Sequence, residues 1–126
     1  MVGLLGVRYV GLRRGERTTT DRVEVYVRDG AHEKRLPLRL DLFSHSPDGF
    51  NWGYAGSGPA QLALAVLADA LKDTPLGDQT AIALHQKFKH EVFSKIEPGR
   101  DWGMGKEYVI EWVTAQQQEK KETEEK

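Results

Sequence analysis

Most side chains able to do chemistry lie in one stretch of this sequence, residues 44–61. It reads Ser-His-Ser-Pro-Asp-Gly-Phe-Asn-Trp-Gly-Tyr-Ala-Gly-Ser-Gly-Pro-Ala-Gln. The stretch combines an imidazole, a carboxylate, hydroxyls and amides with aromatic rings, so it offers both polar and apolar contacts to a ligand. We take seven of its residues as candidate binding residues: His45, Asp48, Phe50, Trp52, Tyr54, Ser57 and Gln61.

The aromatic residues of this stretch alternate with Asn51 and Gly53. In an extended chain Phe50, Trp52 and Tyr54 would lie on one side and form a ridge. Such a ridge can stack on a base or grip a protein partner, because aromatic side chains dominate contact energies. It can also be core that packs a sheet against the following helix. We favour the core interpretation, and we predict that Trp52 is buried.

A small hydrolase is an alternative, with His45, Asp48 and Ser57 as its catalytic residues. Residues of these three types occur together by chance in many small proteins, and a triad is defined by geometry. Ser57 also lacks the flanking glycines of a nucleophile elbow. The glycine-rich step at residues 56–59 lacks the lysine of a Walker loop, so we interpret it as a helix cap. A non-enzymatic role is therefore favoured.

Metal and redox chemistry have little support in the sequence. The chain contains no cysteine, which excludes disulfides and thiolate sites. His85 and His90 are five residues apart in a predicted helix, not at the four-residue spacing that puts two ligands on one face. We interpret both as surface or boundary residues, with Lys87 and Lys89 on a solvated face. We expect no metal and no cofactor.

Alternating valines predict the strands that precede the candidate stretch. A first strand over residues 4–12 and a polar loop over residues 13–21 lead to a second strand, in which Val23, Val25 and Val27 alternate with polar residues. A third strand follows after a turn. Its leucines are expected to continue the apolar face of the second strand: Leu36, Leu38 and Leu40.

The turn between the second and third strands is predicted from Asp29-Gly30, a dipeptide that two-residue hairpin turns prefer. Centring the turn there pairs Arg28 with Ala31. The same register places Glu24 directly opposite Arg35, and opposite charges in such a pair stabilise a sheet by about 0.2–1 kcal/mol.

Helical periodicity begins after the candidate stretch. It predicts helices over residues 59–71, 79–96 and 106–117, the first capped by Ser57 or Gly58 and the second by Asp78. The fold class is therefore α+β: an N-terminal antiparallel three-stranded sheet, with its hairpin at Asp29-Gly30, followed by about three helices packed on one face. We expect one domain over residues 1–117. Residues 118–126 contain no apolar side chain and predict a charged tail that is disordered or forms a frayed, solvated helix end.

Charge is distributed unevenly along the chain. The net charge is -1, but residues 1–40 hold nine Lys or Arg and only five Asp or Glu. This asymmetry raises the alternative of a nucleic-acid-binding module, in which arginines of the sheet contact phosphates and a tyrosine stacks on a base. The residues concerned are Arg22, Arg28, Arg35, Arg39 and Tyr26.

Neither a membrane span nor an export signal is visible. The longest strongly apolar stretch, residues 62–71, has about half the roughly 20 residues that a span needs. Residues 1–8 lack the basic and apolar regions of a signal peptide. We expect a cytoplasmic protein without a membrane partner.

Residues 45–65 resemble the signature of an uncharacterised family of small proteins from bacteria, phages and plasmids. The stretch that carries the resemblance is His-Ser-Pro-Asp-Gly-Phe-Asn-Trp-Gly-Tyr-Ala-Gly-Ser-Gly-Pro-Ala-Gln-Leu-Ala-Leu-Ala. That family has no assigned reaction, so the resemblance implies a shared site and a mobile-element context. The leading hypothesis is a non-enzymatic interaction protein with a protein partner, as an accessory protein or an inhibitor of a host or defence component.

Overall fold

The computed structural model describes residues 6–14 and 22–124, without the side chains of Arg14, Arg22 and Glu124. A four-stranded antiparallel sheet and three α-helices confirm the α+β class. The strands are β1 (Val7–Arg14), β2 (Arg22–Asp29), β3 (His32–Arg35) and β4 (Trp102–Gly105), in the order β3-β2-β1-β4. The helices are α1 (Ser57–Leu71), α2 (Gly77–Glu91) and α3 (Lys106–Glu124). The start of the first predicted strand and most of the predicted loop at residues 13–21 lie outside the described residues.

The predicted hairpin joins β2 and β3, but its predicted register is wrong by two residues. Asp29 pairs with His32, so the turn is centred on Gly30 and Ala31. Gly30 has a φ of 62°, which matches the preference of a type II′ turn for glycine at its first central position. A shift of two residues leaves every side chain on its predicted face. The valines of β2 accordingly face the core.

The change of register moves Arg35 opposite Tyr26 instead of Glu24. Glu24 and Arg35 still form an ion pair, at 3.6 Å, along the diagonal of the sheet. The third strand is also shorter than predicted, because Leu36 makes its last ladder bond, to the carbonyl of Val25 at 2.9 Å. Leu40, expected on the apolar face, is 39% exposed.

Strand β4 was not predicted from the sequence. Its four residues pair with β1, where Trp102 lies opposite Gly11. A Cβ atom at Gly11 would lie 2.2 Å from Nε1 of Trp102, so only glycine allows this close approach. The close pairing lets the indole of Trp102 pack against the core and attach β4 to the sheet.

Helix α1 forms the centre of the molecule. Every residue from Gly58 to Leu71 is buried, as expected for a helix that is apolar on nearly all sides. Its buried carboxylate, Asp69, accepts a hydrogen bond from the hydroxyl of Tyr9 on β1 at 2.8 Å. Burial and the nearby Asp69 charge raise the pKa of the Tyr9 hydroxyl, which stays protonated and joins helix to sheet.

The start of α1 and both ends of α2 differ from the predicted helix boundaries. Gly56 is the N-cap of α1, without a side-chain cap, so the expected cap at Ser57 or Gly58 is wrong. Leu76 is the N-cap of α2, and Asp78 lies in its first turn. A 3-10 turn at Phe93–Lys95 follows α2, where the sequence predicted a continuous helix.

Helix α3 is longer than predicted. It continues to Glu124, so residues 118–124 form a helix end, the second of the two alternatives predicted for this segment. The side chains described beyond residue 117 are exposed, in agreement with their polar composition. None of the helices in the described ranges has the length and apolar content needed to cross a bilayer.

Candidate functional site

Gln61 holds the irregular chain between β3 and α1. Its side chain is fully buried, and its Oε1 atom accepts hydrogen bonds from the amides of His45 at 2.7 Å and Ser46 at 3.0 Å. Its Nε2 atom donates to the carbonyls of Leu38 at 2.7 Å and Phe43 at 3.0 Å. These four bonds use the full capacity of an amide side chain. Gln61, a candidate binding residue, is therefore an anchor for the loop.

Trp52 is the second buried residue of the candidate stretch. It is 1% exposed, which confirms the prediction that it belongs to the core. Its Nε1 atom donates a hydrogen bond to the carbonyl of Arg100 at 2.8 Å, and its ring meets Trp102 edge to face with centroids 5.8 Å apart. The guanidinium of Arg13 lies 5.5 Å from the ring centroid. These contacts join the chain before α1 to both β1 and β4.

The predicted aromatic ridge does not form. Gly53 has a φ of 89°, and its amide donates to the carbonyl of Phe93 at 2.9 Å, so the chain is not extended there. Phe50 is partly buried, whereas Tyr54 is 47% exposed. The three aromatic residues therefore face different surroundings and offer no common platform.

The polar candidates of the stretch are not assembled into a triad. Asp48 is exposed in a turn that the Ser46 hydroxyl closes by donating to the carbonyl of Gly49 at 2.7 Å. Ser57 is exposed in the first turn of α1. Across the described ranges, no hydrogen bond joins His45 to Asp48 or to Ser57.

The polar face of the sheet carries two of the arginines predicted to contact nucleic acid, and each has an acidic neighbour. Arg28 forms an ion pair with Glu33 at 3.2 Å, and Arg35 pairs with Glu24. Tyr26 donates its hydroxyl hydrogen bond to the same Glu24, which raises the pKa of this tyrosine. Arg22 begins β2, and its side chain lies outside the described residues.

Arg39 is not on the sheet, contrary to its expected place among these arginines. It adopts a positive φ of 58° after β3 and contacts Asp41 with two hydrogen bonds, at 3.0 and 3.1 Å. It also bonds Asp78 in the first turn of α2 at 3.0 Å. The Arg39 guanidinium holds the pKa of the Asp41 carboxyl below its usual range. Arg39 therefore ties the loop to α2.

Further along α2, His85 meets His45, which lies in the loop between β3 and α1. The Nε2 atoms of His45 and His85 lie 2.9 Å apart, and the ring of Phe43 stacks on His45 with centroids 4.2 Å apart. His85 Nδ1 contacts the carbonyl of Ile82 at 2.6 Å. We call the surface formed by Phe43, His45, Ile82, His85 and Lys89 the histidine surface.

The contacts of His85 determine where its proton and that of His45 lie. The Ile82 carbonyl can only accept, so His85 Nδ1 must donate to it. In a neutral His85 the Nε2 atom is then an acceptor, and His45 Nε2 must be the donor between the rings. The Nδ1 atom of a neutral His45 is left as an acceptor, and no described residue bonds to it.

Lys89 was expected on a solvated helix face and His85 at the helix surface or its boundary, but both residues are buried. His85 is 5% exposed and Lys89 9% exposed. Both lie on the same side of α2 as the buried Ala81 and Phe88, and the rings of Phe43 and His45 contact His85. Within the described part of the chain, the Lys89 ammonium has neither a hydrogen bond nor an ion pair. Desolvation, followed by the charges of His85 and Lys89, lowers the pKa of His45.

Exposed apolar side chains border the histidine surface. Phe43 is 50% exposed, and Ile82 is exposed one turn before His85. Leu40 and Leu76 are exposed as well, and each is close in the chain to a residue of the Arg39–Asp78 ion pair. Four of the six large exposed apolar residues in the described ranges therefore belong to the loop after β3 or to the first part of α2 and its N-cap.

Local sequence patterns indicate little of this surface. His45 was a candidate, but its partners on α2 lie about 40 residues later. The only signal was the four-residue spacing of His85 and Lys89, which places both on one helix face. The described residues contain no group of three or more metal-ligating side chains, so the histidine pair is not part of a larger ligand cluster.

Comparison with curated proteins and with solved structures finds no match. The model of a family of unknown function, DUF6166, matches residues 9–115. The match includes the sheet, Trp52, Gln61, the histidine surface and most of the helical part. The chain therefore belongs to DUF6166.

Proposed function

We propose that this protein is a non-enzymatic binding protein that docks a protein partner on the histidine surface. The observation that carries the proposal is Phe43, a large aromatic side chain that is half exposed and held in place by stacking on His45. Aromatic side chains with fixed orientation are typical binding hot spots, because little conformational entropy is lost when they are covered.

The surroundings of Phe43 support a macromolecular partner. Leu40, Leu76 and Ile82 add apolar area on the same side, and the Arg39–Asp78 ion pair provides a polar border. An apolar centre with a polar rim is the usual composition of a protein-binding surface. A role as a cytoplasmic accessory protein or inhibitor from a mobile element belongs to this proposal and rests on the sequence resemblance.

Nucleic-acid binding through the sheet is less well supported. Arg28 and Arg35 each have a carboxylate partner on a neighbouring strand. Pairing of this kind lowers the positive potential that attracts phosphates. The hydrolase alternative has less support still, because no hydrogen bond in the described ranges joins His45 to Asp48 or Ser57.

Quantitative affinity capture from a native lysate, with matched variants as bait, tests the proposal. Phe43→Ser removes the aromatic ring from the histidine surface, and Tyr108→Ser removes an equally exposed ring from α3. We expect a protein that the wild type and Tyr108→Ser both retain and that Phe43→Ser loses by at least about tenfold, the size of effect that loss of a hot-spot residue produces.

Both variants should melt within a few degrees of the wild type, because each removed ring is half exposed. If Phe43→Ser loses the partner but melts like the wild type, the result supports docking on the histidine surface. Equal capture by all three baits would contradict the proposal. Sedimentation of the purified protein distinguishes a foreign partner from a second copy of this chain.

A further inference from the structure

The contact between His45 and His85 brings two imidazole nitrogens to one place on the histidine surface. Their Nε2 atoms lie 2.9 Å apart, and their ring centroids lie 5.1 Å apart. Two imidazoles that bind one tetrahedral ion at about 2.0–2.1 Å have nitrogens about 3.3 Å apart and centroids about 5.2 Å apart. The two rings therefore already have the separation that a shared ion requires, and small rotations that move the nitrogens apart by about 0.4 Å would admit it.

His85 is oriented in the way that proteins orient a metal ligand. Its Nδ1 atom donates a hydrogen bond to the carbonyl of Ile82 at 2.6 Å, one turn earlier on α2. Histidines that bind a metal almost always donate their second nitrogen to a backbone carbonyl, a carboxylate or water, which fixes the ring and its tautomer. In a neutral His85 the lone pair of Nε2 is therefore available, and it faces His45.

The loop side of the pair is held in place as well. The ring of Phe43 stacks on His45 with centroids 4.2 Å apart, and Gln61 accepts a hydrogen bond from the His45 amide at 2.7 Å. An ion that binds two side chains already in position costs less conformational entropy than one that must order them. The pair is therefore pre-organised from both of the elements that carry it.

We propose that the Nε2 atoms of His45 and His85 bind one divalent transition-metal ion, for which Zn²⁺ is the test ion. Imidazole suits Zn²⁺, Cu²⁺ and Ni²⁺, whereas Mg²⁺ and Ca²⁺ prefer oxygen ligands. In the neutral pair one proton lies between the rings, on Nε2 of His45. On binding, Nε2 of His45 loses this proton and Nδ1, which reaches solvent, takes one up, so the charge of the two rings does not change.

The two histidines supply only part of a coordination sphere. The residues that the structure describes contain no group of three or more metal-ligating side chains, so water or a side chain of a partner would fill the other positions. Lys89 lies one turn after His85 on α2, and its positive charge opposes the ion. The inference goes beyond the proposed function and does not depend on it, because the purified chain is sufficient to bind the ion.

Titration of Zn²⁺ into the untagged, full-length protein tests the inference. The histidine ring signals are followed by NMR at a pH of about 7.5, where unperturbed imidazoles are mostly neutral. We expect the signals of His45 and His85 to change first, and Mg²⁺ at the same concentration to change neither. No change at either ring at about 1 mM Zn²⁺, a concentration that detects submillimolar dissociation constants, overturns the inference.

Glutamine variants locate the ion. His45→Gln and His85→Gln each remove one ligand, and His90→Gln, at an exposed position of the same helix, is the matched control. Calorimetric titration should show that loss of either ligand weakens Zn²⁺ binding at least about tenfold and that His90→Gln binds like the wild type. Wild-type affinity in His45→Gln, or an equal loss in His90→Gln, overturns the inference. If His85→Gln does not fold, because His85 is 5% exposed, the partly exposed His45 decides the question.

The capture experiment separates this inference from the proposed function. If Phe43→Ser loses the partner but Zn²⁺ does not bind the histidine pair, docking stands and the metal site fails. If Zn²⁺ binding depends on His45 and His85 but Phe43→Ser captures the same proteins as the wild type, the metal site stands and protein docking fails.

Discussion

Two buried side chains hold the irregular chain between β3 and α1, and they do so by different means. Trp52 is held by packing against Trp102 and Arg13, with one hydrogen bond to the carbonyl of Arg100. Gln61 is held by four hydrogen bonds to backbone groups of residues 38–46. The first anchor adds apolar volume to the core, whereas the second fixes the position of the loop backbone.

The difference explains where the candidate site lies. Hydrogen bonds have defined directions, so Gln61 fixes the loop that presents Phe43 and His45 to α2. Apolar packing has little directionality, and the chain near Trp52 contributes chiefly to stability. A loop held by polar contacts can also open locally at a smaller cost than the core, which suits a region that binds a partner.

Loss of the apolar anchor should have the largest effect. Trp52→Ala removes a ring that is 1% exposed and leaves a cavity beside Trp102, so we expect the free energy of unfolding to fall by about 3–5 kcal/mol. Denaturant unfolding followed by circular dichroism measures the change. Tyr54→Ala, at the exposed end of the same aromatic series, is the control and should change stability by less than about 0.5 kcal/mol. Similar losses for both variants would mean that packing at Trp52 has no special role.

Loss of the polar anchor should have a smaller and more local effect. Gln61→Met keeps a side chain of similar length but leaves the four backbone groups without their partner, and we expect a loss of about 1–3 kcal/mol. Amide hydrogen exchange should accelerate at His45 and Ser46 much more than at residues of α1. If exchange instead accelerated uniformly, the two anchors would belong to one cooperative unit.

The smallest expected effect is on the titration of His45. Desolvation, then the charges of His85 and Lys89, lower its pKa below the ordinary value of 6.5. The unfolded chain therefore binds this proton at a higher pH than the native protein does. The neutral ring contributes stability above pH 6.5, and that contribution is lost as the pH falls through the lowered pKa.

NMR titration of the His45 ring measures this value directly. In Gln61→Met the released loop should rehydrate the ring, so the pKa should rise toward its ordinary value. Trp52→Ala, where it folds, should leave the pKa near that of the wild type, because Trp52 does not contact the histidine pair. A wild-type His45 that titrates at or above 6.5 would contradict the assignment of its surroundings.

The fold class and the strand faces could be predicted because they depend on local patterns. The valines of β2 alternate, and a two-residue shift of register does not change which side faces the core. The register itself was wrong because Asp29 stays in the ladder as the partner of His32, and Gly30 alone supplies the positive φ. Strand β4 was missed because two of its four residues are glycine and its partner β1 lies far away in the sequence.

The candidate stretch was recognised, but the roles within it were not. An alternating pattern suggested a ridge, and the positive φ of Gly53 breaks that pattern. Gln61 was a candidate binding residue because its amide can both donate and accept hydrogen bonds. Only the folded structure shows that the loop backbone already uses these bonds. The buried residues of α2, Ala81, His85, Phe88 and Lys89, follow helical spacing, but the polar type of His85 and Lys89 indicated an exposed position.

The pairing of β1 with β4 also has a consequence for folding kinetics. The β2–β3 hairpin and the α1–α2 pair each close a short loop, so both can form early. The β1–β4 pairing must instead bring together residues 8–11 and 102–105, nearly the whole described chain apart. Trp102 reaches Gly11 only when that long loop closes. We therefore expect this long-range pairing, and not the formation of helices, to limit the folding rate.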